Sequence, residues 1–437
     1  MGIVGNMLHR FAALSIRART LMRSGAPRII GFGLAVLMSA AVSLAAIPAM
    51  IAASGEAAWG SIALGQAIGL IGGVAVGYGW GWFGPARIAQ YGPLERRVEY
   101  FESLLAKSVL VLPISIVASV AAYILAPSDP SFAATAAACS TSMGLSAAWY
   151  LVGLSKPFTM IAIDTLPRVA TTAVAIVLMY TGRSAIMGPI GTLVGSLIVL
   201  VASSTWILRE TGRADGPIQL RPLRTVLVHN GDGIASALAS TVYNSAPIAI
   251  VSIAAPSIQP AFALVDKIKV LVVIAAAPAV TVLQGWVPRT IGHARLRRTK
   301  ISLVGGAVFA AIIGVGTAIV TPSLVNWFGN GEISVSNEVA ILLSCCVSVI
   351  IFQTILERVA LTTADNLGAA VKALALGSVV GLPLVWVGSR LAGMTGALSG
   401  VFAALLVVVA TESFAYARVA AESRGVLDQV SAEANWP

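Results

Sequence analysis

Charge is the scarcest property of this 437-residue chain. Asp, Glu, Lys and Arg together make up 11% of it, whereas a soluble domain carries roughly 25%. Hydrophobic residues make up 57%, and apolar runs of about 20 residues, long enough to cross a hydrocarbon core, recur along the whole chain. This composition excludes a soluble globular protein and predicts an all-α polytopic membrane protein.

Cysteine and histidine are also rare, with three of each. The cysteines fall inside apolar runs, which suits neither a disulfide framework nor a metal site. The histidines lie in tails or loops, far apart in the sequence. We therefore expect no metal, no bound cofactor and no catalytic residue, and so a protein that is not an enzyme. These residues are Cys139, Cys345, Cys346, His9, His229 and His293.

Long outward loops are missing as well, which leaves no room for an extracytoplasmic catalytic or receptor domain. The apolar runs predict about twelve transmembrane helices, and an even number places both termini on the same side. The predicted spans are 29–53, 59–83, 108–127, 132–154, 159–181, 184–208, 232–255, 260–287, 301–322, 339–362, 371–389 and 395–417.

Basic residues orient these spans, because nearly all of them fall on one side. Of the 28 Lys and Arg residues, only Arg183 and Arg390 lie in the opposite loops, while Arg168, Lys267 and Lys269 lie inside spans. By the positive-inside rule both termini are cytoplasmic, in a multi-pass protein of the cytoplasmic (inner) membrane. The net charge of +10 then reflects topology and contact with anionic membrane lipids, so we expect no nucleic-acid partner.

An internal repeat divides the chain into halves. GPIGTLVG at 188–195 recurs as GMTGALSG at 393–400, and GWFGPARI at 81–88 is echoed by GWVPRTI at 285–291. The members of each pair lie at equivalent points of the predicted topology. Glycines at this spacing let helices approach closely, so we expect them to pack each half without touching cargo.

The repeat predicts two six-helix lobes around a central cavity, related by a pseudo-two-fold axis along the membrane normal. Lobes of this kind rock about a site near the midplane to give alternating access. The predicted segments are a basic cytoplasmic tail at 1–28, an N-lobe at 29–208, a cytoplasmic linker at 209–224, a C-lobe at 225–418 and a cytoplasmic C-terminal tail at 419–437.

The fifth span carries two charges in an apolar surrounding. Asp164 and Arg168 are four residues apart and so share a helix face, near the middle of the membrane. Pro167, between them, removes a backbone hydrogen bond and favours a kink. Ionisable groups inside a membrane usually face a cavity or a partner. The two residues are therefore either a self-neutralising structural pair or part of a functional site.

The eighth span carries three more charges. Asp266 and Lys269 can pair at i,i+3, whereas Lys267 has no local partner. Lys267 therefore either lines a water-filled cavity or snorkels to the interface. Three cations against two carboxylates predict a cationic cavity formed by Arg168, Lys267 and Lys269, suited to an anionic cargo such as a lipid pyrophosphate. Asp164 and Asp266 alternatively serve coupling to an H⁺ or Na⁺ gradient.

Four segments resemble a known superfamily. They are SAAWYLVGLSKPF with Trp149, VYNSAPIAIVSI with Asn244, FALVDKIKVLVVIAAAPAVTVLQGWVPR with Lys267, and GMTGALSG. On these segments the chain is identified as a member of the multidrug/oligosaccharidyl-lipid/polysaccharide (MOP) exporter superfamily, and within it resembles the Wzx-type flippases of polysaccharide biosynthesis. Phe262 replaces the tyrosine of the family's helix 8 pattern. Lys267 is the one position carried over directly.

The resemblance implies two six-helix lobes around a cationic lumen. It also implies that the cargo is an undecaprenyl-pyrophosphate-linked oligosaccharide or polysaccharide precursor, such as one for O-antigen or exopolysaccharide. The cargo would be flipped from the cytoplasmic to the outer leaflet, alongside a polysaccharide polymerase and glycosyltransferases. Trp149, Asn244 and Pro167 are the cavity or helix-kink candidates. We expect a monomer.

Two alternatives stay open at this point. A MATE-like drug or cation antiporter is disfavoured because the first span lacks the acidic residue that several such exporters use for coupling. A membrane-embedded glycan polymerase or ligase is disfavoured because such enzymes need a large outward loop with charged catalytic groups, and the outward loops here carry only two arginines.

Overall fold

The computed structural model describes residues 2–212, 219–290, 292–364 and 366–434, with side chains described over most of residues 31–425. Every regular element within these ranges is a helix. This is the expected solution in a membrane, because a helix satisfies its backbone hydrogen bonds within one segment. The prediction of an all-α membrane protein is confirmed.

Eight helical stretches among the described residues are long and apolar enough to span a membrane. Two of them contain more than one helix: Gly31–Gln90 consists of two spans joined at Gly55 and the short helix Trp80–Gln90, and Gly368–Gly425 consists of two spans joined at Ala392 and Gly393. Two further helical segments, the interrupted one at 130–153 and the charged one at Gln259–Trp286, bring the number of spans to the predicted twelve. We number the spans α1 (2–54), α2 (56–77), α3 (Pro93–Leu125), α4 (130–153), α5 (157–180), α6 (Met187–Thr211), α7 (Gly231–Ala254), α8 (Gln259–Trp286), α9 (Gly292–Phe328), α10 (337–361), α11 (367–391) and α12 (394–434).

Glycines make the two tightest connections between spans. Gly55 separates α1 from α2 with φ 81° and ψ 169°, and Gly393 separates α11 from α12 with φ 56° and ψ −130°. Side chains other than hydrogen are disfavoured at such positive φ values. The chain can therefore pass from one span to the next almost without a loop.

Three spans are irregular. In α4 a 3₁₀ turn at Ser142–Leu145 separates Pro130–Thr141 from Ala148–Gly153. In α5 a π-helical turn at Ile161–Thr165 directly precedes Pro167, so the predicted disturbance takes the form of a π turn. In α10 a second π turn, Leu356–Leu361, follows Asn337–Ile355. Such turns are frequent at functional sites.

The third span begins earlier than predicted. The sequence predicts a span from residue 108, with Lys107 in a cytoplasmic loop, but α3 begins at Pro93 and buries Lys107. Glu99 and Glu102 are also buried. The helix and its buried face therefore begin before the predicted span, because these charges have tertiary partners, which a count of apolar residues does not register.

The segment between the lobes is held by α3. Backbone and side-chain nitrogens of Arg221 donate to Glu102, with an Nη2–Oε2 distance of 2.5 Å. Arg87, on the short helix Trp80–Gln90, bonds both Glu99 and Asn230 at the start of α7. The hydrogen bonds to Glu102 raise the pKa of the Arg221 guanidinium. Residues 213–218 of the predicted linker and the side chains of the tail at 1–28 lie outside the described residues.

The repeated glycines pack equivalent helix pairs in the two lobes. A Cβ at Gly191 of α6 would lie 2.9 Å from the Ala175 Cβ of α5. A Cβ at Gly400 of α12 would lie 2.6 Å from the Val385 nitrogen of α11. The prediction that these glycines pack each lobe is confirmed for Gly191, Gly195, Gly396 and Gly400, whereas Gly393 lies in the turn between α11 and α12 with nothing within 4 Å of a Cβ. Gly188 differs from this prediction, because it lines the cavity described below.

The two lobes are fastened together at one end of the bundle. We call the end at which the odd-numbered spans begin the starting face, and the other end the far face. Trp59 of α2 and Phe262 of α8 are fully buried in one apolar cluster that includes residues of both lobes. Three hydrogen bonds tie the lobes at the far face: Gln259 Nε2 to Gly60 O (2.7 Å), Asn330 Nδ2 to Pro48 O (2.6 Å) and Ser252 Oγ to Leu125 O (3.0 Å).

Candidate functional site

Arg168 is held in place by α5 and α6. Its Nε lies 3.6 Å from Asp164 Oδ2, one turn earlier, and its Nη1 donates to Ser196 Oγ at 3.0 Å. Asp164 also accepts a hydrogen bond from Ser146 Oγ of α4, at 2.9 Å. The predicted pair therefore forms, and neighbouring helices fix the direction in which the guanidinium points.

Arg168 and Lys267 line the same cavity, of about 260 Å³, although they come from opposite lobes. Among the described residues, no aspartate or glutamate lines it. Its remaining polar lining consists of hydroxyl and amide groups, which can bind either a sugar or a phosphate. These groups belong to Ser39, Ser43, Gln66, Ser140, Thr172 and Thr192.

Lys267 has no anionic partner. Among the described residues, no carboxylate oxygen lies within 4 Å of its ammonium group, although Asp266 is its neighbour in sequence. Of the two readings that the sequence leaves open, the structure favours a cation at a cavity over one that snorkels to the interface. Asp164 offsets the charge of Arg168 without lining the cavity, and the unpaired Lys267 leaves a positive charge there that attracts an anion.

Lys269 lies elsewhere. It is buried and pairs with Asp266 one turn earlier, and it lines a small cavity of about 30 Å³ inside the C-lobe together with Tyr243 and Asn244. The predicted cationic cavity therefore contains two of its three predicted members. The reason is geometric, because residues two apart on a helix point about 200° apart.

The remaining predicted residues are spread over several places. Asn244 donates to its own helix, at Ser240 O, over 2.8 Å. Pro167 follows the π turn that positions Asp164. Trp149 lines a third cavity, of about 400 Å³, that opens between α2, α4 and α7.

Lys107 is the residue that sequence reasoning missed. Its side chain is buried, its Nζ donates to Ser146 O at 2.8 Å, and it lies 5.7 Å from the centre of the Trp149 ring. The sequence does carry one signal of this burial, because Glu99, Ser103 and Ala106 lie at helical spacing ahead of the predicted span. It indicates that the helix, and hence its buried face, begins well before the apolar run.

Glu412 of α12 was also missed. It is fully buried, and Gln353 Nε2 donates to both Glu412 Oε1 (2.9 Å) and Glu357 Oε2 (3.1 Å). Its Oε2 has no hydrogen-bond partner among the described residues. The sequence around Glu412 does not indicate its partner, because that partner, Gln353, lies on a different span, α10.

Neither a protein-family model nor a curated protein sequence matches this chain. Solved structures do match. An inward-facing MATE family multidrug resistance transporter of the MOP superfamily has a TM-score of 0.67 and 13% identity, over 93% of this chain and 99% of that one. This chain has the MOP-transporter fold. The lipid II flippase MurJ, in an inward closed conformation, has a TM-score of 0.60 and 14% identity over 93% of both chains.

The MOP fold confirms the predicted two-lobe, twelve-helix architecture around a central cavity. An outward-facing MATE transporter of the same superfamily has a TM-score of 0.51 and 12% identity, over 90% of this chain and 96% of that one. At these identities the likeness extends to the fold, so the Wzx-type resemblance stays a prediction.

Proposed function

We propose that this protein is a flippase that moves a lipid-pyrophosphate-linked glycan across the cytoplasmic membrane by alternating access. The observation that supports this most is the shared cavity of Arg168 and Lys267, which no carboxylate lines among the described residues. Arginine binds phosphate bidentately, and lysine adds a mobile point charge. A diphosphate would occupy such a cavity, while the hydroxyl and amide groups around it would bind sugar.

The position of the two cations suggests how binding relates to movement. Arg168 belongs to the N-lobe and Lys267 to the C-lobe, so one bound anion contacts both. Rocking of the lobes changes the distance between the two charges, and a bound anion therefore stabilises one arrangement more than the other. Such a difference in affinity is what a ligand needs to shift a conformational equilibrium.

The direction of movement follows from the predicted topology. The starting face is the cytoplasmic side by the positive-inside rule, and the hydrogen bonds between the lobes close the far face. The cargo would therefore bind from the cytoplasmic leaflet. A polysaccharide polymerase on the outer side and glycosyltransferases on the inner side are the partners that this direction implies.

A MATE-like drug or cation antiporter is the second candidate, because the TM-score of 0.67 is with a MATE transporter. A cationic drug would meet the like charge of Lys267, which no carboxylate compensates among the described residues, beside an Arg168 that Asp164 already pairs, and like charges cost free energy. Efflux of a cationic dye from proteoliposomes, with no movement of lipid-linked glycan, would favour this candidate over a flippase.

The proposal is tested by reconstituting the protein into proteoliposomes with a fluorescent lipid-pyrophosphate-linked oligosaccharide. We expect Lys267→Ala and Arg168→Ala each to slow its appearance in the opposite leaflet by about tenfold or more, since a hydrogen bond to a charged group contributes roughly 1.5–3 kcal/mol. The matched controls are Lys372→Ala and Arg183→Ala, because both residues are exposed outside the cavity. The controls should transport as the parent does.

Charge reversal sharpens this experiment. Arg168→Glu should impair transport more than Arg168→Ala, because it places repulsion where phosphate binds. If Lys267→Ala and Arg168→Ala both transport at the parental rate, a cationic lumen does not carry the cargo. Formation of a new glycosidic bond would instead support a polymerase or ligase.

A further inference from the structure

The cavity of about 400 Å³ lies beside the Arg168 cavity and nearer the starting face. Its walls come from both lobes: glycines of α2 on one side, the 3₁₀ turn and the end of α4 on another, and α7 opposite. Met143 of that turn lines both cavities. The two spaces therefore adjoin at Met143, whose side chain is flexible.

Lys107 is the charged group of this cavity. Only 3% of its surface is exposed. Among the described residues its ammonium group donates to a neutral acceptor, Ser146 O, and no carboxylate oxygen lies within 4 Å of it. A buried ammonium group is costly unless it is paired. It can donate three hydrogen bonds, so two are available to an anion that enters the cavity.

Trp149 lines this cavity with the small exposed part of its indole, 6% of the residue's surface. Its ring lies 5.7 Å from the Lys107 ammonium group, and a Cβ at Gly84 would lie 3.1 Å from the ring atoms Cδ2 and Cζ3, so the indole is backed by a helix. Ser240 and Thr241 of α7 line the other side. An indole face beside hydroxyl groups is suited to a pyranose ring, whose C–H face packs on the aromatic surface while its hydroxyls bond the polar wall.

Hydrogen bonds join this cavity to the Arg168 cavity. Ser146 accepts from Lys107 through its carbonyl oxygen and donates through its hydroxyl to Asp164. Asp164 pairs with Arg168. Ser146 therefore positions Lys107 of this cavity, and Asp164, to which Ser146 also donates, positions Arg168 of the neighbouring cavity.

We propose that Lys107 and Trp149 form a second subsite, for a glycosyl phosphate, on the starting-face side of the Arg168–Lys267 cavity. The inference rests on the proposed flippase function. It identifies Lys107 and Trp149 as the residues that the cargo would contact first. The phosphate binds Lys107 while the adjoining sugar stacks on Trp149. The same phosphate then passes Met143 to reach Arg168 and Lys267.

Binding to the purified protein in nanodiscs tests the subsite without requiring transport. The probes are a short-chain lipid-pyrophosphate disaccharide, the same lipid pyrophosphate without sugar, and free glucose 1-phosphate. We expect Lys107→Gln to weaken binding of both lipid probes by about tenfold. Trp149→Leu should weaken only the probe that carries sugar. Binding of glucose 1-phosphate as tight as the lipid probe would identify a soluble glycosyl phosphate as the ligand.

Controls separate a binding role from a structural one. Lys107→Arg keeps the charge and should restore binding of the lipid probes, and Lys372→Gln should bind them as the parent does. The thermal stability of each variant is measured alongside. If Lys107→Gln retains parental affinity, or if Lys107→Arg binds as poorly as Lys107→Gln at unchanged stability, the subsite is not there.

The two proposals fail in different ways. If the parent protein flips the lipid-linked glycan while Lys107→Gln and Trp149→Leu bind and transport normally, the subsite is wrong and the flippase stands. If the parent binds none of the three probes and transports only a cationic dye, the flippase fails and the subsite fails with it.

Discussion

At the scale of single residues, two lysines on one helix have different surroundings. Lys267 faces the cavity between the lobes, whereas Lys269 is buried with Asp266 inside the C-lobe. Both have the same chemistry and are two residues apart. What separates them is the rotation of about 100° per residue along a helix, which directs one towards the other lobe and the other into its own.

This difference predicts distinct effects on stability. Asp266→Asn leaves the Lys269 charge buried without a partner, and we expect it to destabilise the protein by about 3–5 kcal/mol. The double variant Asp266→Asn/Lys269→Met removes both charges and should regain most of that loss. The measurement is thermal unfolding in detergent, together with glycan transport.

Transport serves as the second readout for this pair. The double variant should transport at a rate close to the parental one, because neither residue lines the cavity of Arg168 and Lys267. A stable double variant that does not transport would show that Asp266 or Lys269 acts in the transport cycle itself, as coupling to an ion gradient would require.

At the scale of elements, the first four turns of α3 act as an anchor for the segment between the lobes. Glu102 is 1% exposed and binds the backbone and side chain of Arg221. Glu99 binds Arg87, Arg221 and the Trp80 indole N–H. Two buried carboxylates thus meet two arginines and an indole, which is the kind of compensation that buried charge requires.

Removing this anchor should release the linker while the spans stay folded. We expect Glu102→Gln to speed trypsin cleavage within residues 209–224 by roughly 5–30-fold, the factor that corresponds to a loss of 1–2 kcal/mol. Glu422→Gln is the matched control, because Glu422 pairs with Arg418 on an exposed surface and exposed pairs contribute little. Equal cleavage of both variants would argue against an anchoring role.

At the scale of the whole molecule, the far face is closed by close contact between α2 and α8. A Cβ at Gly60 would lie 2.9 Å from Pro260 Cγ and would also collide with the Gln259 side chain. Gln259 in turn donates to the Gly60 carbonyl. This contact belongs to both lobes, so a larger side chain at position 60, which does not fit while the far face is closed, can be used to open it.

Gly60→Val should therefore shift the protein away from the far-closed state. Overpacking costs about 1–3 kcal/mol, so a cysteine placed at Ser43, which lines the cavity, should react with an impermeant maleimide from the far face about tenfold faster. The experiment uses a background without the three native cysteines.

Gly33→Val is the matched control for this experiment, because nothing lies within 4 Å of a Cβ at that position. It should leave the labelling rate of the Ser43→Cys protein unchanged. Unaltered labelling in Gly60→Val would mean that the α2–α8 contact does not hold the far face closed.

The sequence by itself determined the architecture. The length of a hydrophobic run can be read from the local sequence alone. It predicts twelve spans because each span must be long enough to cross the same hydrocarbon core. The glycine repeat at 188–195 and 393–400 is also local, and the structure shows it packing α5 on α6 and α11 on α12. The pairs Asp164–Arg168 and Asp266–Lys269 could be predicted because one helical turn brings their members together.

Only the tertiary structure decided which charges face a common space. Arg168 and Lys267 are 99 positions apart in the numbering and share a cavity because the lobes meet there. Lys107 has the sequence context of a loop residue, yet α4 covers it with Ser146 and Trp149. Burial and the direction of a side chain depend on which helices pack against it, and hydropathy along one segment does not contain that information.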